Sequence, residues 1–481
     1  MDERIRNPIA MSKLTTPEQA ALLIRDGMTV GASGFTMAGY PKAVPLALAH
    51  RAESGEQIKI TLITGASVGD ELDGALARAG VIARRYPYQT NDSLRERINA
   101  GEVAYVDMHL SQVPFYIRQG YFGKIDVAII EACAIDEMGR IIPSTSLGCS
   151  NVLVEYADKV IVEINTTQPV GLMGYHDVYS PKPIPYTEPI PILKVSDRIG
   201  VPYITCPPEK LAAIVYCDIP DGTRSIPPVD LGSRKMAEHL LNFLRAEINI
   251  GRLPYPLPPL QSGVGAMANA VLNGLMLSDF GDLSLYSEVL QDSVLDLIDA
   301  GKIKFASGTA FTFSPEKSSY FKKNLERYRS SMVLRPMEIS NSPEVIRRLG
   351  VISVNTALEV DLSGNVNSTH VNGTYLMNGL GGSGDFTRNA SVAIFTTLST
   401  AKNGLLSCVV PVVSHVDHTE HDVDVLITEQ GVADLRGLTA YERAERVIEN
   451  CAHPEFREGL RNFIRKARRC SKGLHGIAKT F

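Results

Sequence analysis

Near-continuous apolar runs punctuate the first half of the chain: IKITLITGAS, KIDVAIIEACAI and DKVIVEINTT. Consecutive apolar, β-branched positions predict strands buried on both faces of a parallel sheet. Between them the period changes. TTPEQAALLIRDG predicts a helix that Thr16 caps, with Pro17 in its first turn and Gly27 as its stop. MTVGASGF then reads as a strand entering a Gly-rich loop. The rhythm breaks near residues 218–260. There DIPDGTRSIPPVD is turn-rich, LGSRKMAEHLLNFLRAEINIG is a helix and RLPYPLPPLQ is Pro-rich. It then resumes, with LSLYSEV, VISVNTALEVD, ASVAIFTTL, CVVPVVSHV and DVDVLITEQG as strands and a helical end from Thr439 onward. Alternation of this kind is the α/β signature. The break divides the chain into two α/β domains, 1–225 and 226–481.

The halves carry a faint repeat. Residues 67–80 (SVGDELDGALARAG) lie over 288–301 (EVLQDSVLDLIDAG) without a gap, each after a strand-like run and each ending in Ala-Gly. In this register Ser67 takes the place of Glu288.

Composition narrows the picture. At 481 residues, 44% hydrophobic and 21% charged, the chain has material for two sizeable cores. A net charge of −5 without a basic block or acidic tail leaves nothing that favours nucleic acid or a membrane surface. Seven cysteines, an odd number with no CxxC pair, predict free thiols in a reducing cytoplasm. The charged start MDERIRNPIAMSKLTT lacks the apolar core of a secretory signal, and no apolar run approaches the ~20 residues of a transmembrane helix.

Candidate chemistry gathers at glycines and at one acid. VGASGFTMAGYPK, QSGVGAMANAV and NGLGGSGDFTRNA place glycine where backbone turns tightly or approaches a ligand, and amides in such loops can cradle phosphate or an oxyanion. GLGGSG mimics a dinucleotide fingerprint, but about 20 residues on the chain has Lys402 rather than the expected acid. That speaks for a phosphate handle and against a nicotinamide dinucleotide. Glu288, in LYSEVLQD, stands among Tyr286, Val289 and Leu290. It reads either as a carboxylate stabilising the first turn of the following helix or as a desolvated nucleophile for an activated acyl group. His415, His418 and His421, with Asp417 and Asp422, form either a metal cluster or a structural hydrogen-bond network; the network is the expectation, and no metal is.

Taken together, QSGVGAMANAV, LYSEVLQDSVLDLIDAG, RPMEISNSPEVIRRLGVISVNTALEVDLSGNVNSTH, MNGLGGSGDFTRNA, SHVDHTEHDVDVLITEQGVADLRGL and ENCAHPEF resemble the acetyl-CoA hydrolase/transferase family. The likeness covers nearly the whole chain and is nearest to its succinate-linked CoA-transferases. It implies two tandem, related open α/β domains of the CoA-transferase type, the active site at their interface and the catalytic glutamate in the second. It implies that Glu288 is the nucleophile, forming a glutamyl-CoA thioester, with Asn341 and Glu429 positioning it and its adducts. Gly263, Val264, Gly265, Ala266 and Met267 match the loop that lies along CoA and helps form the oxyanion site. Asn378, Gly382 and Lys402 match CoA-contacting positions. Arg224 stands where the family carries an arginine associated with the carboxylate substrate, and Ser33, Gly34, Phe35 and Thr36 are expected to line the site and exclude water. The implied substrates are acyl-CoA and a small carboxylic acid (acetate, propionate or succinate). CoA serves as substrate and covalent intermediate, in a cytoplasmic homodimer. The alternatives are acyl-CoA hydrolysis by the same glutamate and a non-catalytic acyl-CoA or nucleotide sensor.

Overall fold

The computed structural model describes residues 3–222, 230–263 and 265–469. Among them, the first half supplies β1 (Thr29–Ala32), β2 (Ile60–Thr64), β3 (Ile82–Tyr86), β4 (Ala104–Tyr105), β5 (Ile125–Ile135), β6 (Ile141–Pro143), β7 (Ala157–Asn165) and β8 (Leu211–Cys217). They form one sheet in the order β4-β3-β2-β1-β5-β7-β8, with β6 added antiparallel to β5 and the other pairs parallel. The long apolar strand β5 is buried at every position but Asp126, as a strand covered on both faces must be.

The second half supplies β9 (Leu260–Ser262), β10 (Leu283–Tyr286), β11 (Ile303–Gly308), β12 (Met332–Leu334), β13 (Ile352–Thr356), β14 (Val392–Thr396), β15 (Val425–Thr428) and β16 (Gly431–Asp434). Their order is β12-β11-β10-β9-β13-β14-β15-β16. Counted from each first strand, both sheets run fourth, third, second, first, fifth, so the repeat glimpsed in the sequence is a repeat of topology. Ser67 follows β2 and Glu288 follows β10, the second strand of each sheet. Helical residues come next in both: a π turn at Asp70–Gly74 leading into Ala75–Arg78, and the helix Asp292–Asp299.

Two compact units divide the chain. One comprises Met1–Ser225, Leu285–Leu295 and Phe305–Arg348. The other comprises Ile226–Ser284, Asp296–Lys304 and Leu349–Phe481. The first unit thus takes two stretches from the second half of the sequence, one of them bearing Glu288. Its core joins Val30, Leu48, Leu62, Leu76, Val127 and Ile161. The core of the second unit joins Val360, Phe395, Leu426, Val447 and Phe463.

Two elements differ from the pattern-based expectation. The helix capped by Thr16 runs only over Pro17–Ala21. The amides of Leu22, Leu23 and Ile24 then bond three residues back, so the last turn tightens well before Gly27. CVVPVVSHV yields only the short strand Val409–Val410, which pairs with Glu359–Asp361 outside the main sheet. Pro411 has no N–H to extend the ladder.

Candidate active site

Strand β10 ends after Tyr286 because the chain turns to make other bonds. The Ser287 amide donates to the Ser307 carbonyl (2.9 Å), and the Glu288 carbonyl accepts from the amides of Thr309 (2.7 Å) and Ala310 (3.2 Å). Val289–Leu290 then pairs in parallel with Ala310–Phe311. This backbone grip holds Glu288 between two apolar strands, its side chain half-buried among buried Tyr286, Val289 and Leu290. Asn341 Nδ2 donates to Glu288 Oε1 at 2.7 Å. Ser340 Oγ donates to Asn341 Oδ1 (2.9 Å), which fixes the amide with its NH2 toward the carboxylate. The helix after Glu288 begins four residues later, at Asp292. One partner of the carboxylate is thus a buried side-chain amide.

Asn341 caps the one-turn helix Met337–Ser340. That turn is pinned from several sides. The Met337 amide donates to the Gly148 carbonyl (2.8 Å), and the Tyr286 hydroxyl donates to the Ile339 carbonyl. Glu338, nearly buried, accepts from Arg118 Nη1 and Nη2 and from Asn151 Nδ2 (2.8 Å).

Of the four residues expected to line the site in the first half, three are packed. Ser33 is buried, its hydroxyl donating to the Gly39 carbonyl (2.9 Å) and accepting from the Glu131 amide (2.8 Å). Gly34 has φ +108°, and a Cβ there would come within 2.7 Å of Tyr40 Cβ. Phe35 is buried. Thr36 is half-buried, and its hydroxyl meets that of Thr312 at 3.0 Å.

In the second unit, β9, β13, β14 and β15 are parallel neighbours. Their carboxyl ends form the edge at which open α/β sheets bind ligands. Gly263 and Gly265 follow β9, Gly265 at φ +107° immediately before the helix Ala266–Leu277. Ser399 follows β14 and Glu429 follows β15. Glu429 accepts from the Ser399 amide (2.8 Å), the Ser399 hydroxyl and Gln430 Nε2 (3.0 Å). Burial pushes its pKa up, but these hydrogen bonds outweigh burial and leave it below the ordinary carboxylate value. Met267 is buried in the helix. Asn378 is half-buried, and Gly382 precedes the helical turn Ser383–Thr387. Lys402 sits exposed and left-handed (φ +51°) at the tip of the hairpin Thr400–Ala401/Leu406–Ser407. Arg224 and Val264 lie outside the described residues, as does the side chain of Ala266.

The histidine segment builds hydrogen bonds. His418 Nε2 meets Ser383 Oγ (3.1 Å), and Asp417 accepts from the Ser368 amide (2.6 Å) and the Thr369 hydroxyl. Among the described residues no three His, Cys, Asp or Glu side chains are gathered as a metal would need.

Sequence reasoning missed a buried charge network in the first unit. The Lys42 ammonium, wholly buried, donates to Glu131 (2.5 Å) and Asp221 (3.0 Å). Glu163 accepts from the amides of Lys42 (2.7 Å) and Ala43 (2.7 Å), and burial pushes its pKa up to about 7. The signal was available: Glu131 and Glu163 are acids set inside the apolar stretches of their strands, VAIIEACAI and VIVEI, much as Glu288 stands at the end of one.

The fold is of the CoA-transferase type, and on it a carboxylate just past a strand end is held by a buried amide. Residues 2–216 match the acetyl-CoA hydrolase/transferase N-terminal domain and residues 318–464 its C-terminal domain. A succinyl-CoA:acetate CoA-transferase of Clostridium kluyveri is 53% identical over 98% of this chain and 88% of its own. An acetyl-CoA hydrolase of Schizosaccharomyces pombe is 43% identical over 96% of this chain and 92% of its own. RipA from Yersinia pestis shares the fold, with a TM-score of 0.74 at 24% identity over 95% of this chain and 98% of its own. The chain belongs to the acetyl-CoA hydrolase/transferase family.

Proposed function

We propose that the protein transfers CoA from an acyl-CoA to a small carboxylate, with Glu288 as nucleophile. The observation that carries this reading is the 2.7 Å bond from buried Asn341 to the half-buried Glu288 carboxylate. It orients the carboxylate through one of its oxygens. In the first step a Glu288 oxygen bonds to the acyl carbonyl carbon and the carbon–sulfur bond breaks, giving a mixed anhydride and CoA thiolate. The thiolate then attacks the Glu288 carbonyl, releasing the acid and leaving a glutamyl-CoA thioester. An incoming carboxylate reverses both steps. The thioester energy is conserved and kinetics are ping-pong. Backbone amides of the 263–267 loop serve the oxyanions, each such donor being worth about 3–4 kcal/mol. Asn378, Gly382 and Lys402 serve the CoA moiety, Glu429 the adducts, and Arg224 the carboxylate. We assign it to the cytoplasm, in keeping with six described cysteines that are buried free thiols, and assign it a homodimeric state on the family resemblance alone.

Incubation with acyl-CoA and mass spectrometry tests this reading. A CoA adduct on the peptide bearing Glu288, lost with activity in Glu288→Ala, is expected. An active Glu288→Ala enzyme would sink the assignment. Acetyl-CoA hydrolases among the relatives favour hydrolysis as a second outcome of the same glutamate. A turnover rate that rises with added carboxylate selects transfer; an indifferent rate selects hydrolysis.

A further inference from the structure

A cavity of ≈ 250 Å³ in the first unit includes neither Glu288 nor Asn341 in its lining. It is smaller than the about 300–1,000 Å³ of pockets for drug-sized ligands, so its scale is that of a metabolite of a few carbons. Met37, Leu172 and Phe313 make its walls apolar, while Gln168, Asp221 and Lys322 bring polar groups to it.

Those groups differ in what they still offer. Asp221 is saturated. Its Oδ1 accepts from Lys42 Nζ (3.0 Å) and the Gly39 amide (3.0 Å), and its Oδ2 accepts from the Thr145 hydroxyl and from Gln168 Nε2 (2.9 Å). The bond to Asp221 also fixes the Gln168 amide. Gln168 is 1% exposed, and its Oε1 is left buried without a hydrogen-bond partner among the described residues. A buried acceptor in that state costs about 1–3 kcal/mol unless a donor reaches it. Lys322 Nζ donates once, to the Thr167 carbonyl (2.9 Å), beside Gln168 in the chain. Burial pushes its pKa down, and among the described residues no carboxylate forms an ion pair with it. Among the described residues, the lining thus includes one ammonium with spare donors and one glutamine whose amide oxygen lacks a donor.

We propose that this cavity binds a short-chain hydroxycarboxylate, its carboxylate on Lys322 and its hydroxyl donating to Gln168 Oε1. A plain carboxylate would leave Gln168 Oε1 orphaned, and a neutral alcohol would leave Lys322 unpaired. A second carboxylate would set its oxygens against that of Gln168. The ligand is therefore the free acid, since a hydroxyacyl thioester has no carboxylate to pair with Lys322.

Calorimetry on full-length Glu288→Ala protein, which removes the proposed covalent chemistry, tests the site with 2- and 3-hydroxybutyrate against butyrate. One hydroxy acid is expected to bind about tenfold more tightly than butyrate. Gln168→Leu should erase that preference, Lys322→Met should remove binding of both acids, and Lys322→Arg should restore it. Equal affinity for butyrate, binding undisturbed in a folded Lys322→Met protein, or no binding of either hydroxy acid overturns the proposal. Displacement of the bound acid by 3-hydroxybutyryl-CoA, which carries no free carboxylate, also overturns it, and simultaneous binding supports it.

Discussion

Asn341 donates a hydrogen bond to Glu288, the proposed nucleophile, and its own oxygen is held by Ser340. Removing it should therefore act on the chemical step. Asn341→Ala is expected to lower kcat by about 10- to 100-fold, the worth of a hydrogen bond to a charged group, with KM for acyl-CoA nearly unchanged. Steady-state kinetics decide it; a change confined to KM would assign Asn341 to substrate binding. His176 offers a different test. Its Nε2 bonds the Ser144 carbonyl (2.8 Å), and burial lowers its pKa from 6.5 to about 4. The unfolded chain takes up this proton below pH 6.5, while the folded protein resists until about pH 4. Its stabilising contribution is thus complete above pH 6.5 and is lost as pH falls to about 4, a total of about 3 kcal/mol. Denaturant titrations across this range should show a shallower fall in stability for His176→Leu than for the natural protein. Parallel slopes would mean that His176 titrates normally.

The one-turn helix Met337–Ser340 is too short to hold itself, so its position depends on what grips it. Glu338 is the main handle, and Arg118 is its charged partner. Arg118→Met should cost about 3–5 kcal/mol by leaving a carboxylate buried and unpaired, and should lower kcat by loosening Asn341. The double variant Arg118→Met/Glu338→Met should recover most of the stability in thermal melts. If the single and double variants melt alike, Glu338 is solvated or otherwise paired. None of this grip was legible in the sequence. Arg118 and Glu338 stand 220 residues apart, and nothing local marks either side chain. What could be read at this scale was the element with strong local cause: buried parallel strands from unbroken apolar runs, and a helix start from Thr16 and Pro17. The helix end was misjudged because the tightening of Leu22–Ile24 is a tertiary choice, made as Ile24 enters the core.

At the scale of the molecule, the overlay of 67–80 on 288–301 matches the fold, since both segments follow the second strand of sheets whose first five strands share one order. The compact units were less legible, because 285–295 and 305–348 leave their sequence neighbours to pack with the first half. The cysteines probe how this architecture opens. Cys133 lies in β5 where that strand pairs with β6, its thiol donating to the Ile142 and Pro143 carbonyls, and burial pushes it up to about 12. Cys408 is also buried and its pKa is raised by burial, but it sits beside two-residue strands outside the main sheets. Reaction requires the thiolate, so both are inert while closed. Freeing Cys133, wholly buried in the longest strand of the first sheet, demands that this strand open. Freeing Cys408 demands only that a peripheral ladder fray. Maleimide pulses in denaturant below the unfolding midpoint, read peptide by peptide in a mass spectrometer, should therefore modify Cys408 well before Cys133. At the midpoint the two rates should converge. Equal rates throughout would mean that the peripheral strands open only together with β5, and that the protein unfolds as one cooperative body.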